Sequence, residues 1–420
     1  MLDQVKRDEA LVHFQRGLAL EQSNRVREAV EEYRRALAHN PHLREAHEAL
    51  GFYYQRFGLL AKAAEEFRVV ANLEDDFLAH FNLGYILIEI GRYDEAQAAF
   101  ERCLARAPHD ATTHYEIAHI LFLRDDYSAA LERLQIPLQE FPEDWEVHHL
   151  AGCCYLRLGD YVQAMTAFGS MLRLTMQPAV QAEAIELIET VERYREVGTP
   201  RSLKDRLYAE HGVVQLGSTQ DNGISLREYS DYHFTYPDIG VTLQRLQALL
   251  RGCEWRFTCV VALDRLARPL VDALAALLNL PARYADDVQP TDLPLLVLGI
   301  GREAELLDLA LERSVSEVVT FCLGLNWLRH RSALPDITGV IARGNCSVPW
   351  EAELRRLRAD GAPAGQIDAC IDRAKEQILA AVRDTPPDKT LARQVRYYTH
   401  RFHRLRFADV FDITEAMSLL

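Results

Sequence analysis

The sequence predicts an α-helical solenoid over residues 8–178, then an α/β domain over 203–420 with a mostly parallel sheet and C-terminal helices. Three observations predict it. A small residue recurs at Gly17, Gly51, Gly84, Ala118 and Gly152, a step of about 34 residues that marks stacked helical hairpins. After Gly198-Thr199-Pro200 this period stops and turn-rich sequence begins, including the Asp-Asn-Gly signal at 221–223. From Tyr236 onward, near-continuous apolar runs alternate with amphipathic segments, the pattern of parallel strands covered on both faces.

Each small anchor is followed twelve positions later by an alanine: Ala29, Ala63, Ala96, Ala130 and Ala164. Four positions beyond stands Tyr33, Phe67, Phe100, Leu134 or Phe168. Small residues let two antiparallel helices approach closely, and the large side chain fills the space between successive pairs. Pro41, Pro108 and Pro142 end the second helices of the first, third and fourth units, because proline lacks the amide hydrogen that would continue them. One hairpin buries too little surface to stand alone, so five form a nearest-neighbour array.

Over about 170 residues this pattern resembles the tetratricopeptide repeat family. The following segment, AVQAEAIELIETVERYREV, loses the signature and is predicted to cap the array, with residues 179–202 serving as capping helix and linker. Where the family usually carries a large residue early in each first helix, this chain has His13, His47, His80, His114 and His148. Stacked helices sit roughly 10 Å apart, too far for two of these imidazoles to share one ion. Each is expected to pack within its own unit with one nitrogen hydrogen-bonded locally.

The resemblance implies that the second, fifth, ninth and twelfth positions of each first helix face an inner groove. These are Leu11, Phe14 and Leu18; Glu48, Phe52 and Gln55; Leu78, Phe81, Tyr85 and Ile88; Tyr115, His119 and Phe122; His149, Cys153 and Leu156. Relatives that clasp a terminal carboxylate use lysine and asparagine there, and those types are absent. The candidate partner-binding residues are Phe14, Phe52, Phe81, Tyr85, Tyr115, Phe122 and His149, since aromatic anchors present large area at low entropic cost. Such a stripe either receives a partner peptide or helix, or packs against the next helix or the chain's own second half.

In the second half the predicted order is helix VTLQRLQALLRG, strand RFTCVVAL, helix ARPLVDALAALLNL, strand ARYADD, strand LPLLVLGI, helix EAELLDLALERS and strand EVVTFCLGL. In open parallel sheets ligands bind beyond the carboxyl ends of the strands, which singles out the loops 264–268 and 299–302. Arg265, Arg268, Gly299, Gly301 and Arg302 are the candidate anion-binding residues, the last three at a helix start where free amides favour negative charge. A phosphorylated small molecule is the ligand class they suggest.

This stretch, within 236–345, distantly resembles the core of a type I phosphoribosyltransferase. That family ends the second of these strands in paired acidic residues followed by a threonine- and glycine-rich phosphate loop. Here Leu298 and Gly299 hold the acidic places, while Arg302 and Glu303 fall where the threonines belong. The resemblance therefore implies the fold without the carboxylates and hydroxyls of the transfer chemistry. No GxSxG, HExxH or GxxxxGK[ST] motif occurs, and Asn345-Cys346-Ser347 and the segment Trp327–Arg331 are commonplace cleft residues. No catalytic residue, cofactor or metal is expected.

The tail, 347–420, reads as helix over about 347–384, followed by the basic aromatic stretch LARQVRYYTHRFHRLRF. Its Arg393, Arg396, Arg401, Arg404 and Arg406 suit nucleic acid or anionic lipid in one reading, and in another pair with the acidic solenoid or the sheet's carboxylates while the rings are buried. This helix is also a candidate to fill the groove.

Charge narrows the partners. Of the formal net charge of −15, about −13 falls before residue 200, so the first half repels nucleic acid. No run approaches the roughly 18 apolar residues of a membrane span, and Met1 to Phe14 lacks a signal-peptide core, so a cytoplasmic location is expected. The eight scattered cysteines form no CxxC and are expected as reduced core residues. The expected function is a cytoplasmic interaction scaffold; the alternative is an enzyme acting on a nucleotide or phosphorylated sugar, with the repeats recruiting its partner.

Overall fold

The computed structural model describes residues 2–302, 304–312, 318–326, 334–401, 405 and 407. Trp327–Arg331, Glu303, Arg404 and Arg406 lie outside them, as does the side chain of Arg401. The chain divides into two units, Met1–Ile188 and Glu189–Leu420.

The first unit is helical throughout. Helix α1 spans Leu2–Gln22, α2 Val26–His39, α3 Arg44–Arg56, α4 Leu60–Leu73, α5 Phe77–Glu89 and α6 Tyr93–Leu104. Helix α7 spans Ala111–Leu123, α8 Tyr127–Glu140, α9 Trp145–Leu158 and α10 Tyr161–Leu174, and α11, Pro178–Val197, crosses the boundary between the units. These make the five predicted hairpins, α1/α2 to α9/α10. Each hairpin turns on one left-handed residue, Asn24, Gly58, Gly91, Asp125 or Gly159, the types that reach positive φ at least cost. Asp76, Asp110, Asp126, Asp144 and Asp160 cap α5, α7, α8, α9 and α10, each accepting from a backbone N–H of the first turn.

The anchors behave as their spacing predicts. A Cβ built on Gly17 would stand 2.4 Å from the Tyr33 ring, on Gly51 2.8 Å from Phe67, on Gly84 2.8 Å from Phe100 and on Gly152 2.6 Å from Phe168. The fourth hairpin departs in both places at once: its anchor is Ala118, and the residue facing it is Leu134, both fully buried. The larger anchor is accommodated by the smaller partner.

The histidines pack locally. Nε2 of His47, His114 and His148 lies 3.0, 3.0 and 2.9 Å from the carbonyls of Pro41, Pro108 and Pro142, the prolines that end the preceding hairpins. His13 Nδ1 meets Glu32 at 2.7 Å, and His47 Nδ1 meets Glu66 at 2.6 Å. With both nitrogens facing acceptors, His47 is held above the usual histidine range: burial opposes its charge, but Glu66 and the Pro41 carbonyl outweigh it.

The second unit begins with α12, Leu203–His211, started by a reciprocal capping box between Ser202 and Asp205. Strand β1 is Val214–Gln215, β2 Tyr232–His233, and α13 Tyr236–Gly252 opens with a Thr235/Asp238 capping box. Then follow β3 Cys259–Ala262, α14 Arg268–Leu278, β4 Ala282–Arg283, β5 Pro294–Gly301, α15 Ala304–Glu312 and β6 Val319–Asn326. Strand β7 is Ile337–Ala342, β8 Cys346–Ser347, α16 Glu351–Ala359, α17 Ala364–Asp384 and α18 Leu391–Arg396, which runs into a π-helical turn at Tyr397–Arg401. A six-stranded sheet in the order β1-β7-β6-β5-β3-β4 is parallel at every described pairing, and β2 and β8 form a separate parallel pair. Every residue of β5, β6 and β7 is buried, as continuous apolar strands require.

Several expectations are corrected. The stretch after Pro200 holds a helix, α12, hidden because its nine residues are too few for a clear period. ARYADD is strand only at Ala282–Arg283 and then a 3-10 turn. The helix expected from Ser347 to Asp384 starts instead at Glu351, Ser347 being in β8, and breaks at Gly361-Ala362-Pro363, where Gly361 has φ +64° and proline ends the run. Strands β7 and β8 went unassigned, β7 because Thr338 and Gly339 interrupt its apolar run.

Among the described residues of the basic tail, the rings pack inward. Tyr398 is fully buried with its hydroxyl 3.0 Å from Gln215 N, Tyr397 OH donates to Asp205 at 2.7 Å, and Phe407 packs edge-on to Trp255. Those rings belong to the core of the second unit. All eight cysteines are free thiols, six buried and Cys153 and Cys253 half-buried. No helix among the described residues is long and apolar enough to cross a membrane.

Candidate functional site

Two surfaces carry the sequence-predicted residues: the first-helix face of the repeats and the strand ends of the sheet. On the repeats, α5 meets α7 and α7 meets α9, so first helices of successive hairpins run side by side. The fifth-position rings turn inward over the second helix of their own hairpin. Phe14 lies 5.6 Å from Tyr33, Phe81 5.5 Å from Phe100 and 5.8 Å from Phe77, and His149 6.5 Å from Phe168. Phe122, further along α7, packs 5.5 Å from Tyr127. These residues are half-buried and brace the hairpin as much as they line its face.

In the first three hairpins the second and ninth positions are the exposed ones. Leu11, Leu18, Phe52, Leu78 and Tyr85 are 45, 38, 50, 53 and 42% exposed, a run of large apolar side chains along the first three hairpins. Phe52 still rests edge-on against Phe67, which fixes its direction. Glu45 is the polar member of this stretch.

At the equivalent positions of the last two hairpins stand Thr112, His119, Glu146 and Cys153. The surface changes character there. Glu116, the one charged residue of α7, is half-buried beside Tyr115, and its carboxyl is pushed up to about 7, first by burial and then by the Glu146 carboxylate. Burial holds His119 below the usual histidine range and also raises the Tyr115 hydroxyl, with Glu146, Glu116 and Asp144 adding to the rise. His149 Nε2 lies 3.5 Å from Glu183 and 3.6 Å from the Cys153 thiol. Glu116 and Glu146 were missed from the sequence, although a lone carboxylate in ATTHYEIAHILFL was a readable signal.

At the strand ends the loop after β3 approaches the end of β5 so closely that a Cβ on Gly299 would lie 3.3 Å from the Ala267 nitrogen. The amides gathered there already face an anion. Asp264 Oδ1 accepts from Ala267 N at 2.5 Å, and the Leu266 and Gly299 amides also favour its charged form. Burial raises the Asp264 carboxyl, while these amides and Arg302 oppose the rise. Arg302 grips Glu351 with both terminal nitrogens, at 2.6 and 2.8 Å, and donates to the Cys346 carbonyl at 2.6 Å. Its guanidinium is held above its usual range by the Glu351 hydrogen bond.

Arg268 is turned elsewhere, 3.2 Å from Asp272 with its guanidinium 4.7 Å over the Tyr284 ring. Arg265 is exposed and repels Arg358. Gly301 ends β5 inside the sheet, paired with Leu325. Of the five residues singled out here, Gly299 and Arg302 meet at Asp264; Arg268 does not join them. Ser347 Oγ meets His233 Nδ1 at 2.7 Å, and the Cys346 thiol is buried.

The tetratricopeptide repeat family model matches residues 10–43 and 77–110, and a second tetratricopeptide repeat model matches 115–177. A TPR repeat-containing protein of Treponema pallidum (strain Nichols) is 32% identical over 169 residues, 35% of this chain and 21% of its own length. Tetratricopeptide repeat protein 33 of Homo sapiens is 26% identical over 115 residues, 27% of this chain and 44% of its own. The chain thus spans between a fifth and a half of these curated relatives. Among solved structures, MamA protein shares 20% identity at a TM-score of 0.38, covering 40% of this chain and 92% of that one. YrrB, described as a TPR protein with an unusual peptide-binding site, shares 15% identity at a TM-score of 0.39, covering 42% of this chain and 92% of that one. The first unit is a tetratricopeptide repeat array.

Proposed function

We propose that the chain is an interaction scaffold whose first-helix groove docks a peptide or helix of a partner protein, with an α/β unit that does not catalyse a reaction. One observation carries the proposal: Leu11, Leu18, Phe52, Leu78 and Tyr85 stand exposed at the second and ninth positions of successive first helices. Large apolar side chains repeated on one helical face are costly to leave in water, and a helix- or peptide-binding groove presents its anchors in this way. The fifth-position rings Phe14, Phe81, Tyr115 and His149 and the twelfth-position Phe122 support it from beneath. YrrB, described by its peptide-binding site, is a repeat protein of the same general type.

The competing reading, an enzyme acting on a nucleotide or phosphorylated sugar, draws on the phosphoribosyltransferase-like order of residues 236–345. Asp264 on the strand-end amides and Glu351 on Arg302 favour the scaffold instead, because both positions that would receive a phosphate are already filled from within the chain.

The test is affinity capture by the full chain compared with the Phe52→Ala/Tyr85→Ala variant, followed by mass spectrometry. Both side chains are exposed, so helicity should be unchanged while the captured partner falls by about tenfold or more. Equal capture by the two proteins would discard the groove. Phe81→Ala and Tyr115→Ala are poorer probes, because both side chains also brace their hairpins.

A further inference from the structure

We infer that the groove selects an amphipathic segment whose apolar end lies over the first three hairpins and whose lysine- or arginine-bearing end lies over the last two. This rests on the docking function proposed above and adds the chemistry of the partner. The surface changes along the equivalent positions of the repeats: Leu11, Leu18, Phe52, Leu78 and Tyr85 give way to Thr112, His119, Glu146 and Cys153.

The arginines are unevenly placed. Several arginines of the second to fourth hairpins are spent on carboxylates: Arg44 on Glu48, Glu74 and Asp76, Arg68 on Glu65 and Glu95, Arg124 on Asp94, and Arg133 on Glu101. Even Glu48, a groove position, is neutralised in this way. Glu116 and Glu146 have no ion-pair partner among the described residues. From 111 to 188 the chain holds eleven carboxylates against four arginines and no lysine. The one cation within α7 or α9 is Arg157, exposed in the last turn of α9.

A half-buried carboxylate without a cation is unfavourable, and its proximity to a second carboxylate makes it more so. The upward push on Glu116 reports that cost. A partner ammonium or guanidinium placed between Glu116 and Glu146 removes it, whereas a partner carboxylate is repelled. Guanidinium and ammonium groups on flexible stems also let their methylenes lie on Tyr115 and Phe122.

The experiment pans a displayed library of random fifteen-residue peptides against the full chain, then measures enriched peptides, fluorescently labelled, by anisotropy. The enriched sequences should pair an apolar stretch with lysine or arginine near one end. Glu116→Gln/Glu146→Gln, an isosteric change, should weaken them by about tenfold or more. Raising salt from low to physiological ionic strength should weaken the parent's binding more than the variant's. Phe52→Ala/Tyr85→Ala should abolish binding.

Enrichment of neutral or acidic peptides overturns the basic end, as does undiminished binding by the double glutamine variant. If Phe52→Ala/Tyr85→Ala abolishes binding in that case, the groove stands and its charge preference is wrong. If the same peptides bind Phe52→Ala/Tyr85→Ala as well as the parent, or nothing is enriched, the groove itself is wrong.

Discussion

Within each hairpin, specificity comes from a pair of residues whose sizes are set against each other. Four hairpins place glycine against a ring and one places alanine against leucine, so the array itself contains the compensated variant. This makes a quantitative prediction. Gly84→Ala should destabilise by about 1–3 kcal/mol, because its methyl would stand 2.8 Å from Phe100 in a fully packed interior. Phe100→Leu should cost about 1–2 kcal/mol through the space it leaves. The combination, which recreates the fourth hairpin in the third, should be less destabilised than the sum of the two. A double-mutant cycle by urea denaturation checks it, and strict additivity would show that the pair is not coupled.

At the scale of elements, legibility followed burial. The hairpins could be placed because their anchors, alanines and rings repeat, and because proline and left-handed turn residues punctuate them. The exposed side of the same helices was less legible. A helical position number says that Phe81 and Phe52 both point toward one face, but not that Phe81 leans onto Phe100 while Phe52 reaches solvent. That distinction depends on the neighbouring hairpin. In the second unit β5 and β6 were readable as continuous apolar runs, whereas β7, with Thr338 and Gly339 inside it, and the two-residue β1 and β8 carry no period to find.

The strand-end loop shows the same limit. Two glycines and an arginine at a helix start suggest an anion site, and Asp264 fills it from 35 residues earlier in the chain, a fact that only tertiary structure supplies. Asp264→Ala should therefore leave the Ala267 amide short of its acceptor and take the negative charge from the Leu266 and Gly299 amides, at a cost of about 1–3 kcal/mol. Millimolar inorganic sulfate should recover part of that loss in the variant and not in the parent, read as a shift in thermal midpoint. No recovery would mean that the amides do not form an anion cradle when the carboxylate is gone.

For the molecule as a whole, the two units are held by contacts of different reach. Hairpin contacts join residues no more than about one repeat apart, such as His47 and Glu66, 19 positions apart, or Arg44 and Glu74, 30 apart, so the array is a chain of neighbours. The second unit closes on itself over long stretches of sequence. Tyr398 OH bonds Gln215 N, Arg245 reaches Asp388 and Asp221, and Gln394 bonds the Asn222 carbonyl. Lys204 is fully buried, donates to the carbonyls of Gln215 and Gly223, and lies 4.7 and 4.6 Å from the centres of the Tyr397 and Tyr398 rings. Burial, with the nearby Arg245 guanidinium, pushes its ammonium down to about 7, which the Asp221 and Asp205 carboxylates only partly offset. A chain ending at Thr385 would strip Lys204 of both rings, Arg245 of Asp388 and Trp255 of Phe407. Such a buried cation without its cage is strongly unfavourable. Amide hydrogen exchange should then show protection lost across 203–384 and kept over 10–174, because the contacts that order the repeats lie among the repeats. Protection retained in α13 and β5 of the shortened chain would show that the sheet is complete without its last turn of aromatic residues.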